Sequence, residues 1–441
     1  MKKHYGLIGH PLGHTLSPYI HRQIMKDCGI EGTYRAYDIA PDQFKEQTGR
    51  LIEKLDGFNV TIPYKEAIAA CLSSRDEASS RFGAINTVSG HRGYNTDYLG
   101  FQKCQIPFDK KRVLLIGAGG VGRVMLYEAI RAGAKDVTIC TRREEQAQTL
   151  KQEVKENSGY DKVAFCGMNR LEPVYDIILN ATPVGMWPNC DGIPVSKEII
   201  FGAEFVFDSI YNPLASKLVL AARSYGIKAQ SGLSMLYHQA IEAQRIWNPD
   251  ADFSGLSDIL QQCKLRRKLL LLFPVKFVLT GFMGSGKTTV GKALAKILHA
   301  GFVDLDIRVV EEKKMPISEI FKKEGEPAFR KAEQSCLSQV MKEPKTLVVA
   351  TGGGALMNPE NVQMVRENQG FIFFLSVDIE TILSRIDKTN DRPLLHGKEQ
   401  EQILRLFESR VPVYNSIADC VVDADGSVSD VAIRIKKVLD G

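Results

Sequence analysis

Two apolar, strand-like runs in this chain each end in a glycine-rich turn, and the two turns differ in kind. Val113-Leu114-Leu115-Ile116 leads into Gly117-Ala118-Gly119-Gly120-Val121-Gly122, and Phe277-Val278-Leu279-Thr280 leads into Gly281-Phe282-Met283-Gly284-Ser285-Gly286-Lys287-Thr288. A glycine turn between a strand and a helix offers backbone N–H groups and the positive end of a helix dipole to an anion, which restricts each half to an α/β layer around a phosphate site. The first spacing suits the pyrophosphate of a dinucleotide, because its glycines allow a tight turn and close backbone approach. The second adds a lysine for β/γ-phosphates and a threonine for Mg2+, and so suits a nucleoside triphosphate. A redox site and a phosphoryl-transfer site on one polypeptide, hence a fusion of two enzymes, is the leading expectation.

Length permits it. A chain of 441 residues holds two or three domains with real cores. Hydrophobic content of 44% and charged content of 25% are ordinary for a soluble globular protein. A net charge of +5 favours small anionic ligands over nucleic acid. The nine cysteines are scattered, with no C-x-x-C pair and no Cys/His cluster, which argues against a disulfide framework or a zinc site and for a reducing cytoplasm. Tyr5 to Pro11 is too broken by His10, glycine and proline to be a signal peptide, and the apolar stretch Leu269 to Phe273 is too short to span a bilayer.

Short apolar runs at Tyr5–Gly9, Gly57–Thr61 and Ala84–Val88 alternate with helical stretches before Phe101, which predicts an α/β layer with a mostly parallel sheet. A second α/β unit starts at Lys111: strand Val113–Ile116, glycine turn, helix through Ala132, strand Val137–Thr141, then strands Tyr175–Asn180 and Phe205–Asp208. Gly232 to Trp247 reads as a helix, and Lys264-Leu265-Arg266-Arg267-Lys268 as a solvated basic junction. The expected division is a substrate domain over 1–101 plus 238–263, a dinucleotide domain over 102–237, a basic linker over 264–274, and a kinase domain over 275–441 with a lid near 388–400.

The end of the strand after the first glycine turn discriminates the cofactor. An NAD site expects an acidic residue there for the ribose 2′-hydroxyl, whereas this chain has Thr141-Arg142-Arg143. Guanidinium groups bind a 2′-phosphate bidentately, so NADP(H) is expected, against the bland alternative of two solvated surface arginines.

The same half resembles shikimate dehydrogenase from about Tyr5 to Asp258. The resemblance rests on Gly9-His10-Pro11 with His14-Thr15-Leu16-Ser17-Pro18, on Asn59 to Lys65, on Gly83 to Thr87, on Gly93 to Gly100, on Asn180 to Met186, and on Gly232 to Leu236 with Gln239. It implies a two-domain dehydrogenase with Lys65 and Asp97 as the catalytic pair. It further implies that Thr15 and Ser17 bond the substrate carboxylate, that Thr61, Asn86, Asp97 and Gln239 surround the ring hydroxyls, and that Gly117, Gly119, Gly120, Gly122, Thr141, Arg142, Arg143, Thr182 and Met235 hold NADP(H). Without that motif Lys65 would by default be a surface lysine. The chain departs from the family pattern at Thr15, where serine is usual, at Thr141 and Arg143, which flank the central arginine of the usual Asn-Arg-Thr, and at Ser234, where glycine is usual.

The second glycine loop alone says only NTPase or small-molecule kinase. Asp304-Leu305-Asp306 follows Phe302-Val303, and residues i and i+2 of a strand face the same side, so both carboxylates are expected to point into one site. Gly325 to Arg330, Gly352-Gly353-Gly354 and Asp391 to Leu395 complete a set that looks like shikimate kinase over about Val275 to Leu439. The resemblance implies a P-loop kinase with a parallel sheet, in which Gly281, Gly284, Ser285, Gly286, Lys287, Thr288 and Thr289 hold ATP, Arg385 lies against adenine, and Arg392 in the lid stabilises the transferring charge. Thr288 and Asp304 serve Mg2+. The resemblance also implies that Asp306 orients or deprotonates the attacking hydroxyl, that Arg330 and Arg410 clamp the acceptor carboxylate, and that Gly352, Gly353 and Gly354 line the ring.

The expected activity is therefore reduction of 3-dehydroshikimate with NADPH followed by phosphorylation of the shikimate with ATP. The alternatives are a dehydrogenase half that prefers quinate, and one half reduced to a binding or regulatory module. The partners expected are small molecules, with neither nucleic acid nor membrane.

Overall fold

The computed structural model describes residues 2–13, 15–256, 258–386 and 400–440. Packing divides them into two compact units. One comprises Met1–Pro183, Pro194–Tyr211 and Lys228–Leu269, the other Val184–Ile193, Asn212–Ile227 and Leu270–Gly441.

The first unit carries two sheets. The N-terminal sheet contains β1 (Lys3–Gly9), β2 (Gly32–Asp38), β3 (Gly57–Val60), β4 (Ser74–Arg75), β5 (Thr87–Ser89) and β6 (Arg92–Tyr94), in the order β2-β1-β3-β5-β6-β4. Its core strands pair in parallel, but β5 runs antiparallel to both β3 and β6. The sheet is thus more mixed than the alternating pattern predicts, because β5 and β6 form a hairpin across Gly90 (φ +52°), a local turn that a parallel crossover could not use. The run Ala84–Val88 becomes strand only from Thr87, which leaves Asn86 ahead of the strand with its side chain free for other work.

The second sheet contains β7 (Arg112–Ile116), β8 (Asp136–Cys140), β9 (Val163–Cys166), β10 (Ile177–Asn180), β11 (Phe205–Asp208) and β12 (Lys228–Ser231), in the order β12-β11-β10-β7-β8-β9. Every pairing is parallel. Val113, Leu114 and Leu115 are fully buried, as expected of strands covered on both faces. The chain winds outward through β8 and β9 and then returns to β10 on the other side of β7. The topological switch therefore falls between Ile116 and Asn180, at the carboxyl ends of the strands where such sheets bind ligands. Phe82 and Phe101, from helices of the N-terminal region, pack into the core of this second sheet and tie the two layers of the unit together.

The other unit is built on β13 (Lys276–Thr280), β14 (Gly301–Asp304), β15 (Leu347–Ala350), β16 (Gly370–Ser376) and β17 (Cys420–Asp423), ordered β14-β15-β13-β16-β17 and parallel throughout. Its excursions 184–193 and 212–227 are held by Lys217, whose Nζ lies 2.5 Å from Asp191 Oδ1 and 2.7 Å from Asp419 Oδ1.

Two expectations need correction here. The segment expected as a linker over 264–274 does contain the division between the units, after Leu269, but it is helical as far as Leu272, within the helix Asp258–Leu272. Its basic residues flank Gln261, Leu265 and Leu269, which recur every four residues and are all buried, so the run has one buried helical face that charge counting obscures. Asp304 and Asp306 do not share a strand. β14 ends at Asp304, whose side chain caps the helix Leu305–Lys313 by accepting from the Asp306 and Ile307 N–H groups at 3.0 and 3.4 Å. An aspartate at a helix N-cap satisfies otherwise orphaned donors, and that local preference wins over strand continuation.

Candidate active sites

Lys65 and Asp97 meet in the first unit. β3 ends at Val60, and a turn closed by Tyr64 N–H to the Thr61 carbonyl at 2.9 Å brings the chain round to Lys65. The Lys65 carbonyl accepts from Ile85 N–H at 2.7 Å, and the Tyr64 hydroxyl donates to the Ile39 carbonyl at 2.5 Å, so this backbone is anchored on both sides. Asp97 lies in the first turn of the helix Thr96–Gln102, capped by Asn95 Oδ1, which accepts from Tyr98 N–H at 3.1 Å. Lys65 Nζ stands 2.5 Å from Asp97 Oδ2, with the side chains 26% and 17% exposed. The pair is thus partly desolvated yet open to a substrate, as proton transfer requires.

A buried amide–hydroxyl network supports that helix. Asn86 Oδ1 accepts from Thr96 N–H at 2.7 Å, and Asn86 Nδ2 reaches Thr96 Oγ1 at 3.0 Å and Gln239 Oε1 at 3.4 Å. Asn86 is 3% and Gln239 7% exposed, so in this state both are structural partners of the Asp97 helix. Ser17 opens the helix Ser17–Asp27, and its N–H donates to Thr15 Oγ1 at 3.2 Å, which sets the two hydroxyl groups side by side. His14 lies outside the described residues.

The first glycine turn has the shape its spacing requires. Gly117 adopts φ +99°, in the region that favours glycine, and a Cβ on Gly122 would lie 2.3 Å from the Gly117 carbonyl oxygen. The helix Gly120–Arg131 therefore starts directly against β7, with its N-terminal amides at the switch point. Across that point Asn180 Oδ1 accepts from the Thr182 N–H and hydroxyl at 3.0 and 2.7 Å. Arg142 and Arg143 follow β8 and are exposed, Arg143 at the N-cap of the helix Glu144–Ser158, so both guanidinium groups are accessible to a phosphate. Met235 is buried in the first turn of the helix Leu233–Trp247.

In the other unit the loop after β13 takes φ +149° at Gly281, +89° at Gly284 and +86° at Gly286, and the helix Lys287–Leu298 follows. Lys287 Nζ donates to the Gly281 and Phe282 carbonyls at 2.9 Å each, and Thr289 Oγ1 to the Gly286 carbonyl at 2.9 Å. Thr288 Oγ1 donates to Asp304 Oδ2 at 2.6 Å, which places a hydroxyl and a carboxylate together as oxygen ligands of the kind Mg2+ takes. Arg385 Nη1 donates to the Gly284 carbonyl at 3.1 Å. Arg392 lies outside the described residues.

The loop opens into a cavity of about 830 Å³ whose lining includes Lys287, Thr288, Asp306, Arg330, Gly353 and Arg410. A Cβ on Gly354 would lie 2.5 Å from Arg330 Nη2, and one on Gly352 would lie 2.9 Å from Asp306 Oδ1, so these two glycines admit the side chains against bare backbone. Two residues, one lining this cavity and one bonded to the Gly353 carbonyl behind it, were missed in the sequence. Glu333 is 1% exposed, receives Arg330 Nη1 at Oε2 (2.8 Å), and leaves Oε1 without a partner among the described residues. Burial pushes its carboxyl above the ordinary 4.5, with the neighbouring Arg330 opposing the rise. Its i+3 spacing from Arg330 on the helix Gly325–Lys342 was the available signal. Tyr414, the second, carried none.

The fold and these groups define a class: a dinucleotide-dependent oxidoreductase and a P-loop small-molecule kinase on one chain. Residues 7–88 match the family model for the shikimate dehydrogenase substrate binding domain, 100–185 that for shikimate / quinate 5-dehydrogenase, and 283–440 that for shikimate kinase. NADP(+)-type shikimate dehydrogenases of Caldanaerobacter subterraneus and Bacillus subtilis are each 34% identical, over 57% and 56% of this chain and 94% and 92% of theirs. A solved shikimate dehydrogenase in complex with NADP+ superposes with TM-score 0.55 at 32% identity, covering 61% of this chain and 96% of that one. The Thermus thermophilus enzyme in complex with NADP(H) and shikimate superposes with TM-score 0.52 at 28% identity, covering 61% and 100%. The chain belongs to the shikimate dehydrogenase family and carries a shikimate kinase domain behind it, so both enzyme activities, with NADP(H), ATP and Mg2+ as cofactors, reside on one polypeptide.

Proposed function

We propose that the chain catalyses two consecutive steps, NADPH-dependent reduction of 3-dehydroshikimate to shikimate and ATP-dependent phosphorylation of shikimate to shikimate 3-phosphate. The observation that carries this reading is the presence of two constellations on one chain. Lys65 and Asp97 stand 2.5 Å apart in the unit with the dinucleotide turn, and Asp306, Arg330 and Arg410 line the cavity that contains Lys287 and Thr288. We place it in the cytoplasm, in keeping with nine scattered cysteines.

The glycine geometry fits both nucleotides: neither Gly117 nor Gly122 tolerates a side chain, and the loop over 281–286 holds three positive-φ glycines. NADPH supplies a hydride and Mg-ATP a transferable phosphoryl group. The residues do the rest. In the reduction, the ring ketone oxygen gains a proton, which the Lys65–Asp97 pair holds and delivers, while the Lys65 ammonium stabilises charge developing on that oxygen. Thr15 and Ser17 hold the substrate carboxylate, and Thr61, Asn86 and Gln239 the ring hydroxyls. Arg142 and Arg143 recognise the 2′-phosphate, with Gly119, Gly120, Thr141, Thr182 and Met235 around the rest of the cofactor. In the kinase cavity, Asp306 orients the attacking 3-hydroxyl and accepts its proton, Arg330 and Arg410 clamp the carboxylate, and Lys287 neutralises phosphate charge.

The test is a one-pot assay with 3-dehydroshikimate, NADPH and Mg-ATP, following NADPH loss and ADP formation. Both signals are expected, with ADP dependent on prior NADPH oxidation. ADP formation from added shikimate without any NADPH loss would show the first half to be inactive.

A further inference from the structure

Tyr414 lies on the helix Gln400–Ile417, is 0% exposed, and packs its ring against Phe374 of β16 with centroids 5.1 Å apart. Its hydroxyl donates to the Gly353 carbonyl, and Arg410, one turn earlier on the same helix, directs Nη1 at the same oxygen from 3.4 Å. Burial pushes the Tyr414 hydroxyl up to about 12, so it stays protonated and can only donate to a carbonyl. That carbonyl shares one planar trans peptide with the Gly354 N–H, and in a trans peptide the two bonds point in opposite directions. Pinning the oxygen to the helix therefore turns the Gly354 N–H away from it. Among the described residues neither the Gly353 nor the Gly354 N–H has a protein acceptor. Arg330 covers Gly354 so closely that a Cβ there would meet Nη2 at 2.5 Å. The Gly353–Gly354 peptide thus has Tyr414 and Arg410 at its oxygen and Arg330 against Gly354.

We propose that Tyr414 is a positioning residue for the acceptor: its hydroxyl fixes the Gly353–Gly354 peptide so that the Gly354 N–H is presented to the anionic group that Arg330 and Arg410 hold. The inference rests on the kinase reading above and adds to it the device that sets the backbone donor. Glycine at both positions leaves this peptide free to rotate, so without the tyrosine hydroxyl its orientation is not otherwise set by side-chain sterics.

The test uses the full chain and Tyr414→Phe, which removes one oxygen and keeps the ring. KM for shikimate is expected to rise about fivefold, the scale of one hydrogen bond, while KM for Mg-ATP stays at the parent value. The preference for shikimate over its methyl ester should shrink in parallel, because the lost donor faces the carboxylate. Phe374→Leu, which loosens the packing and retains the hydroxyl, should lower Tm without the selective change in KM. An unchanged KM for shikimate, or equal rises in both KM values alongside a lowered Tm, would overturn the inference alone. A parent chain that does not phosphorylate shikimate would overturn the kinase reading and this inference with it.

Discussion

Arg330 and Glu333 lie one turn apart on the helix Gly325–Lys342, with Arg330 Nη1 2.8 Å from Glu333 Oε2, the glutamate 1% exposed and the arginine against Gly354 in the cavity. Glu326 accepts from the other edge of the guanidinium, at 3.0 Å from Nη2. The arginine proposed to hold the acceptor is thereby oriented from two sides before any acceptor arrives.

Glu333→Gln is expected to raise KM for shikimate about tenfold, since one charge-assisted bond to Arg330 is weakened. Its effect on stability has a definite sign with pH. Burial raises the Glu333 carboxyl above 4.5, so its contribution to stability is fully present below that value and is lost as pH rises through the raised folded-state value. Across that window the difference in Tm between variant and parent should move in the variant's favour. A difference that is flat with pH would contradict the assignment.

Lys65→Ala should lower kcat for 3-dehydroshikimate reduction by about 100-fold or more, the range of a lost general acid–base group, while KM changes by less than about tenfold. Asp97→Asn should do the same, because the two side chains form one 2.5 Å pair. Steady-state kinetics of both variants, with Tm as the control for folding, checks this; an unchanged kcat removes Lys65 from the mechanism.

Arg142 is exposed at the end of β8, so its removal should cost little stability. Arg142→Ala should reduce the ratio of kcat/KM for NADPH to that for NADH by about tenfold or more, as loss of a guanidinium–phosphate contact requires. Equal losses with both cofactors would mean that the arginine does not read the 2′-phosphate.

Lys276 is 2% exposed on β13 and donates to the Glu343 and Lys345 carbonyls at 2.8 and 2.9 Å. Burial lowers its ammonium to about 8, outweighing the opposing pull of Glu343. A lysine depressed in the folded state contributes stability that is fully present above its ordinary 10.5 and is lost as pH falls through about 8. Relative to Lys276→Met, the parent should therefore gain stability between pH 8 and 10.5, read as the difference in Tm at the two ends.

Much of this protein follows from local pattern. The two glycine spacings and the apolar runs ahead of them mark two nucleotide sites, because phosphate binding needs backbone without side chains at defined intervals, and the motifs Asn59–Lys65 and Gly93–Gly100 in one half and Gly325–Arg330 and Gly352-Gly353-Gly354 in the other name the families. Asp304 shows where pattern misleads: a D-x-D after an apolar run reads as strand, yet a capped helix satisfies the orphan N–H groups of Asp306 and Ile307 better. The basic run over 264–268 reads as a linker because charge is conspicuous, whereas the buried stripe of Gln261, Leu265 and Leu269 makes it helix.

The sequence by itself determined the two enzyme classes and their cofactors, since the motifs that mark those are set by residue type and spacing within a few turns. Only the tertiary structure decided which distant groups meet. Lys65 reaches Asp97 across 32 residues, Asn86 reaches Gln239 across 153, and Tyr414 reaches Gly353 across 61. Such contacts depend on how sheets and helices pack around a common core, and no local periodicity encodes that.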